Sequence, residues 1–247
     1  MKIKAIVKAI IGEVYYNFYY RYIKLKGNRV LIYHAFGSKL KHDSYGISIE
    51  PKLFEDHLIF LKDNYTLLPL CQDTFNNKLN INSVSITIDD GYKDNLIAVK
   101  LLEKYNIPYT IYISTGFIGK KQYLSKSDIK QISKSPLCTL GTHSIGHVHL
   151  SSIDKSKQYQ ELSESKQMLE DIIGEEVVDF SYPYGDYNDS AKEMADSLYS
   201  LISKSHIGIN TLKNDKKMIK RIEVIASDTV NSLKRKVDGY YDFLKYK

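Results

Sequence analysis

From Arg29 onward, short β-branched runs alternate with longer helical patterns, and this alternation limits the chain most. Residues 29–33 (RVLIY), 83–88 (SVSITI), Tyr109–Ile113 (YTIYI), 138–141 and 177–182 read as strands, with 201–203 and 221–225 as weaker ones. Pro51–Asn64 and residues 93–105, 127–133, 154–173 and 190–198 read as helices between them, and residues 228–244 as a closing helix. Pro51 suits a first helical turn, a Ser/Asp cap opens 127–133, and Gly174 ends the longest helix. Repeated βα units imply a mainly parallel sheet covered by helices. Five to seven such units in 247 residues favour an α/β barrel, closed or incomplete, over an open sheet. A chain of this length can hide about 70–75% of its unfolded surface in one core. No repeat, low-complexity stretch or linker divides residues 27–247, so one catalytic domain is expected there, preceded by a separate helix over residues 1–26.

In such a barrel, chemistry collects at the carboxyl ends of the strands. His34 follows the first strand and Asp89-Asp90-Gly91 follows residues 83–88. Thr142-His143-Ser144-Ile145-Gly146-His147 follows residues 138–141, and Pro183-Tyr184-Gly185 follows residues 177–182. Each piece alone has an ordinary reading as a turn, a surface pair or a loop. Four of them at successive strand ends point to one site. Asp90, His143 and His147 suit a catalytic divalent cation with a coordination position left open. The two histidines share a direction if residues 142–147 form a first helical turn. Asp89 suits a general base, and Gly91 lets the chain bend so that both carboxylates reach one cavity. A cation so held polarises a carbonyl and lowers the pKa of water. The His₂Asp donor set favours Zn²⁺, with Co²⁺, Ni²⁺, Mn²⁺ and Fe²⁺ also suited.

The net charge of +6, from 35 basic and 29 acidic residues, is too mild for a dedicated nucleic-acid binder, and no nucleic-acid partner is expected. Cys71 and Cys138 form no CxxC pair, which excludes a cysteine zinc site; they read as two reduced, buried thiols, with a single disulfide as the alternative. Ile3, Ile6, Val7, Ile10, Val14, Phe18, Tyr22 and Leu25 recur at helical spacing, with Lys2, Lys4, Lys8, Arg21, Lys24 and Lys26 around them. This basic amphipathic helix either lies on an anionic membrane face or packs against the domain body. Lys8 interrupts the apolar stretch 5–11, so no cleavable signal is expected. The expected location is the cytoplasm or the cytoplasmic membrane face, with the cell surface as the alternative.

A family resemblance adds to this reading. The segments Thr87-Ile88-Asp89-Asp90-Gly91, His143-Ser144-Ile145-Gly146-His147 and Phe180-Ser181-Tyr182-Pro183-Tyr184-Gly185 resemble the motifs of polysaccharide deacetylases, the NodB-homology proteins of carbohydrate esterase family 4. Val30-Leu31-Ile32-Tyr33-His34, the helix carrying Phe54 and Leu61, Asn106-Ile107-Pro108 and Arg221-Ile222-Glu223-Val224 are similar to the subgroup that acts on exopolysaccharides. The resemblance spans about residues 29–243. It implies a distorted (β/α) barrel of about seven parallel strands, and hydrolysis of N-acetyl, less often O-acetyl, groups from a saccharide; location on the cytoplasmic membrane face would make that saccharide a lipid-linked one. By position, Asp89 matches the base, and Asp90, His143 and His147 match the metal triad. Tyr184, after Pro183, matches the residue whose backbone N–H stabilises the oxyanion. Ser181 stands where the common pattern has an arginine that orients the base, so that support is expected to be missing. The late Leu-x-His motif that supplies the general acid is not evident; His34 is the expected acid and His206 the alternative. With these departures, a saccharide-binding or scaffold protein that keeps the fold without turnover is the competing reading. Tyr15, Tyr16, Tyr19, Tyr20 and Tyr22 crowd the first helix, while Tyr33, Tyr92, Tyr182, Tyr184 and Tyr187 are expected near the cleft, where they can stack on sugar rings.

Overall fold

A computed structural model of the chain describes residues 2–20, 26–77 and 81–246, with backbone only at 2–6, 77, 245 and 246. Helix α1 (Lys2–Tyr15) continues as a π-helical turn over Tyr16–Tyr20. The expected continuation through Arg21, Tyr22, Lys24 and Leu25 lies outside the described residues, as do the side chains of Lys2, Ile3, Lys4 and Ile6. Next come β1 (Gly27–Tyr33), α2 (Pro51–Asn64), β2 (Thr66–Leu67), α3 (Gln72–Asn77), β3 (Asn82–Ile88), α4 (Asn95–Tyr105), β4 (Tyr109–Ile113) and α5 (Lys126–Ile132). After them follow β5 (Cys138–Thr142), α6 (Lys155–Ile173), β6 (Asp179–Ser181), α7 (Asp189–Leu198), β7 (Leu201–Lys204), β8 (Ile219–Glu223) and α8 (Val230–Asp238).

Seven parallel strands close into a barrel in the order β1-β3-β4-β5-β6-β7-β8, with β8 returning to β1. Parallel neighbours need crossovers, and the helices supply them on the outside. The barrel is uneven. β2 pairs with Ser83 and Val84 of β3, while β4 pairs with Ile86–Ile88 of the same strand. β5 and β6 share a single register pair, Thr142 with Phe180.

The period-2 alternation of a strand sorts the side chains between the two faces of the wall. On β3, Val84, Ile86 and Ile88 face outward into the main core with Leu31, Tyr33, Phe54, Leu58, Leu61 and Leu102. The opposite face carries Ser83, Ser85 and Thr87, all buried. Asn28 of the neighbouring β1 donates to Ser83 Oγ (3.0 Å) and Ser85 Oγ (3.1 Å), so these inward hydroxyls are partnered between the two strands. Val30, Leu70, Phe75, Tyr112, Leu201 and Ile219 fill the interior below the site. Tyr112 reaches across this space because β5 carries Gly141 there: a Cβ at Gly141 would stand 2.6 Å from the Tyr112 ring. The Tyr112 hydroxyl meets Ser203 Oγ at 3.0 Å.

Helix ends follow their capping chemistry. Ser125 and Asp128 form a reciprocal capping box at α5, and Asp154, Asn188 and Thr229 cap α6, α7 and α8. The closing helix is shorter than its sequence pattern predicts. It stops at Asp238 because Gly239 takes φ +93°, and the chain then makes a short 3₁₀ turn over Asp242–Tyr246. Gly239 also makes room for a neighbour, since a Cβ there would stand 2.6 Å from Arg29 Nη2 and from Tyr20. The strand expected over 177–182 narrows to Asp179–Ser181. β2 and α3 are too short to carry a periodic signal and have no counterpart in the sequence reading. Cys71 and Cys138 are free, partly buried thiols, and burial pushes the Cys138 thiol up to about 12.

Candidate active site at the carboxyl ends of the strands

Asp89 continues the inward face of Ser83, Ser85 and Thr87 just past the end of β3, and it is 2% exposed. Its backbone N–H donates to the Tyr33 carbonyl at 2.9 Å. The chain then turns on Asp90 itself (φ +75°) and on Gly91 (φ +78°). The bend thus begins one residue before the glycine expected to provide it, and it brings both carboxylates to one cavity.

His143 follows β5, and His147 lies four residues on. The intervening segment is an irregular loop, not the expected helical turn: Ser144 (φ +59°) and His147 (φ +52°) are both left-handed. Two braces hold this loop. Glu161 of α6 accepts the backbone N–H groups of Ile145 and Gly146, each at 2.8 Å. Ser144 Oγ accepts the His147 N–H at 3.0 Å. Five non-glycine residues have positive φ among the described residues, and four of them are Asp90, Ser144, His147 and Tyr184. Left-handed backbone in non-glycine residues costs energy and persists where the surroundings dictate it. Here it gathers around one cavity.

One ligand atom from each of Asp90, His143 and His147 falls within 4.8 Å of the others. His147 Nε2 lies 3.1 Å from Asp90 Oδ1 and His143 Nε2 lies 3.6 Å from it. That buried oxygen nevertheless has no hydrogen-bond partner. His143 Nδ1 sits 2.7 Å from the Ser181 carbonyl, so it donates its proton there and leaves the Nε2 lone pair aimed at the cluster. Burial pushes the His143 imidazole down to about 4, against the pull of Asp89 and Asp90. Burial would raise the Asp90 carboxyl, but its contact with His147 and the nearby imidazoles His34 and His143 hold it low. A neutral imidazole, an ionised carboxylate and an unpartnered buried oxygen fit a divalent cation.

Arg221 of β8, 1% exposed, grips Asp89 with both arms: Nη1 to Oδ1 at 2.7 Å and Nη2 to Oδ2 at 2.8 Å. Its Nη2 also donates to Ser181 Oγ at 2.6 Å, and its Nη1 to Thr87 Oγ1 at 3.0 Å. Burial would raise the Asp89 carboxyl, but the Arg221 charge, the nearby His143 and these hydrogen bonds hold it below the usual carboxylate range. The support expected to be missing at Ser181 is therefore present and comes from another strand. Ser181 itself anchors that guanidinium.

The cleft above these groups has a volume of about 940 Å³. His34 lines it, with Nδ1 3.9 Å from Glu223 Oε1 and without a hydrogen bond, and Tyr45 donates to that Glu223 oxygen at 2.9 Å. His206 is exposed and is not among the lining residues, although Ser205 and Ile207 are. Pro183 is buried and starts a tight turn in which Tyr184 (φ +59°) puts its ring on the surface, 58% exposed. That ring stacks on His149 at 4.0 Å and meets His147 edge-on at 4.5 Å. Opposite, Tyr92 stacks on Tyr123 at 5.1 Å, and His42 Nε2 meets the Tyr92 hydroxyl at 2.8 Å. The tyrosines expected at the cleft divide. Tyr184 and Tyr92 line it, whereas Tyr33 and Tyr182 are fully buried and Tyr187 packs against the main core, because period-2 geometry turns Tyr33 to the outer face with Leu31. His57 is buried in the core, with Nδ1 3.3 Å from the Tyr33 hydroxyl.

Comparison with known proteins adds a family. A family model described as polysaccharide deacetylase matches residues 76–199, half of the chain. Over 176 residues the chain is 30% identical to YxkH of Bacillus subtilis (strain 168), which bears a polysaccharide deacetylase name; the match covers 68% of this chain and 60% of that protein. The chain thus spans less than two thirds of YxkH. It is 27% identical over 220 residues to the poly-beta-1,6-N-acetyl-D-glucosamine N-deacetylase of Staphylococcus aureus (strain MRSA252), covering 79% of this chain and 73% of that one. Among solved structures, BC0361, a polysaccharide deacetylase from Bacillus cereus, aligns with a TM-score of 0.76 at 25% identity, over 86% of this chain and 69% of its own.

Proposed function

The chain belongs to the polysaccharide deacetylase family, and from that premise we propose that it hydrolyses N-acetyl groups on a saccharide, releasing acetate and a free amine. Asp90, His143 and His147 hold a divalent cation, with Zn²⁺ best suited to the donor set. When bound, the cation supplies Lewis-acid polarisation of the acetyl carbonyl and acidifies water. Asp89 takes the proton of the attacking water. Arg221 fixes the orientation of Asp89 and keeps it ionised before the reaction. The Tyr184 backbone N–H donates to the oxyanion that forms as water adds to the carbonyl, a role whose loss costs about 3–4 kcal/mol of barrier. His34 returns a proton to the departing amine. It lines the cleft while His206 does not, which favours His34 for this role.

One observation carries the proposal: an oriented, ionised Asp89 stands beside Asp90, His143 and His147, whose ligand atoms lie within 4.8 Å of one another. A scaffold without turnover has no use for that pairing. The test is acetate release from N-acetylated oligosaccharides, free and lipid-linked, after chelation and after Zn²⁺ or Co²⁺ is returned. Activity lost on chelation and restored by metal is expected. Turnover indifferent to chelator overturns the proposal.

A further inference from the structure

We propose that the outer face of α1 docks on an anionic lipid bilayer, where it lies in the headgroup layer and holds the cleft mouth beside the membrane. The inner face of the segment is firmly seated. Gly12 leaves space for the Tyr240 carbonyl, which would stand 2.9 Å from a Cβ at that position. Tyr16 stacks on Tyr240 at 3.9 Å with the rings 9° apart, and Glu13 pairs with Arg235 at 2.6 Å. The Tyr20 hydroxyl accepts from Arg29 Nη2 at 2.6 Å, and Arg29 is itself held by Asp242.

This seating leaves Val7, Ile10, Ile11, Val14, Phe18 and Tyr19 pointing away from the barrel, 45–80% exposed. They form one stripe at helical spacing. A contiguous apolar patch of this kind marks an interaction surface.

The charge of the segment selects the occupant. Residues 1–26 contain six basic residues (Lys2, Lys4, Lys8, Arg21, Lys24 and Lys26) and one acid (Glu13), so they carry +5 of the chain's net +6. Glu13 is already paired. A second copy of the same segment would set +5 against +5, whereas anionic headgroups complement that charge. None of the described helices is long and apolar enough to cross a membrane, so the stripe lies on the bilayer. The direction of the helix links it to the site. Tyr20 sits by Arg29 and Gly27 near the amino ends of the strands, while Lys8 lines the cleft at the carboxyl ends.

The experiment is co-sedimentation of the full chain with phosphatidylcholine vesicles, with and without phosphatidylglycerol, at low and raised salt. Binding that requires phosphatidylglycerol and weakens with salt is expected. Phe18→Asp and Val14→Asp should each weaken it about tenfold, with melting temperature and turnover of soluble saccharide unchanged. Lys2→Gln and Lys4→Gln together should weaken it without touching the apolar stripe. Equal binding to phosphatidylcholine alone overturns the proposal, as does undiminished binding by the Asp variants. A dimer in solution that Phe18→Asp dissociates, with no vesicle binding, assigns the face to a second copy and also overturns it. Sedimentation reads docking independently of deacetylation, so failure of either leaves the other standing.

Discussion

Arg221–Asp89 and Arg29–Asp242 are the same chemical unit in two places. Both are two-armed arginine–aspartate pairs, with bonds of 2.7 and 2.8 Å in the first and 2.6 and 2.8 Å in the second. Both are almost wholly buried. Their surroundings differ. Asp89 opens onto the cleft, 3.8 Å from His143, amid a cluster of left-handed residues. Asp242 lies on the outer wall, where Arg29 ties it to Tyr20 and so joins the amino-terminal segment to the carboxyl-terminal one. Desolvating such a pair costs energy that its own attraction only partly returns. At the first site that cost yields an oriented carboxylate, the proposed base; at the second it yields a fixed helix.

The largest effect should separate the two. Asp89→Asn should lower acetate release about 10³-fold, because a general base contributes about 10²–10⁴ in rate. Turnover within a few-fold of the parent chain would remove Asp89 from the chemistry. Asp242→Asn should leave soluble-substrate turnover unchanged. Urea melts should show it less stable by about 3–5 kcal/mol, the cost of leaving a buried arginine half paired. If both variants lose activity alike, the two pairs do not divide the work.

A smaller effect tests the brace on the loop that carries His143 and His147. Glu161→Ala should weaken metal affinity about 10–100-fold in a competition titration with a chromophoric chelator. Glu161→Gln should keep most of it, since a carboxamide oxygen still accepts both N–H groups. Equal affinity for both variants would make Glu161 a packing residue only.

Asp179 is the control for both pairs: a buried carboxylate inside the barrel with no cation beside it. Burial pushes it up to about 8. The folded chain therefore keeps a proton there that the unfolded chain loses above its ordinary pKa near 3.8. Stability should fall as the pH rises through the window from about 4 to about 8. Asp179→Asn should flatten that part of the curve, and an unchanged slope would mean that Asp179 is ionised at neutral pH.

The residues legible in the sequence are those whose role is local. Asp89, Asp90, His143 and His147 sit next to strand ends that β-branched runs announce, and the structure gathers Asp90, His143 and His147 at one point. Arg221 was legible as part of a weak strand and of a segment resembling the exopolysaccharide subgroup, not as the partner of Asp89. Its role depends on barrel closure, which brings it to a carboxylate 132 positions away. Ser181 and Arg221 meet in space and are two unconnected facts in the chain. The early end of α8 was hidden for the same reason. Gly239 looks like one more helix residue until Tyr20 and Arg29 arrive beside it.

The ring of Tyr112, set against Gly141 and under the Arg221 guanidinium at 5.2 Å, closes the barrel beneath the site. The cleft therefore has its floor at Tyr112, and in the proposed reaction acetate leaves on the side where the saccharide enters. In kinetic terms, added acetate should compete with the saccharide for the same form of the protein.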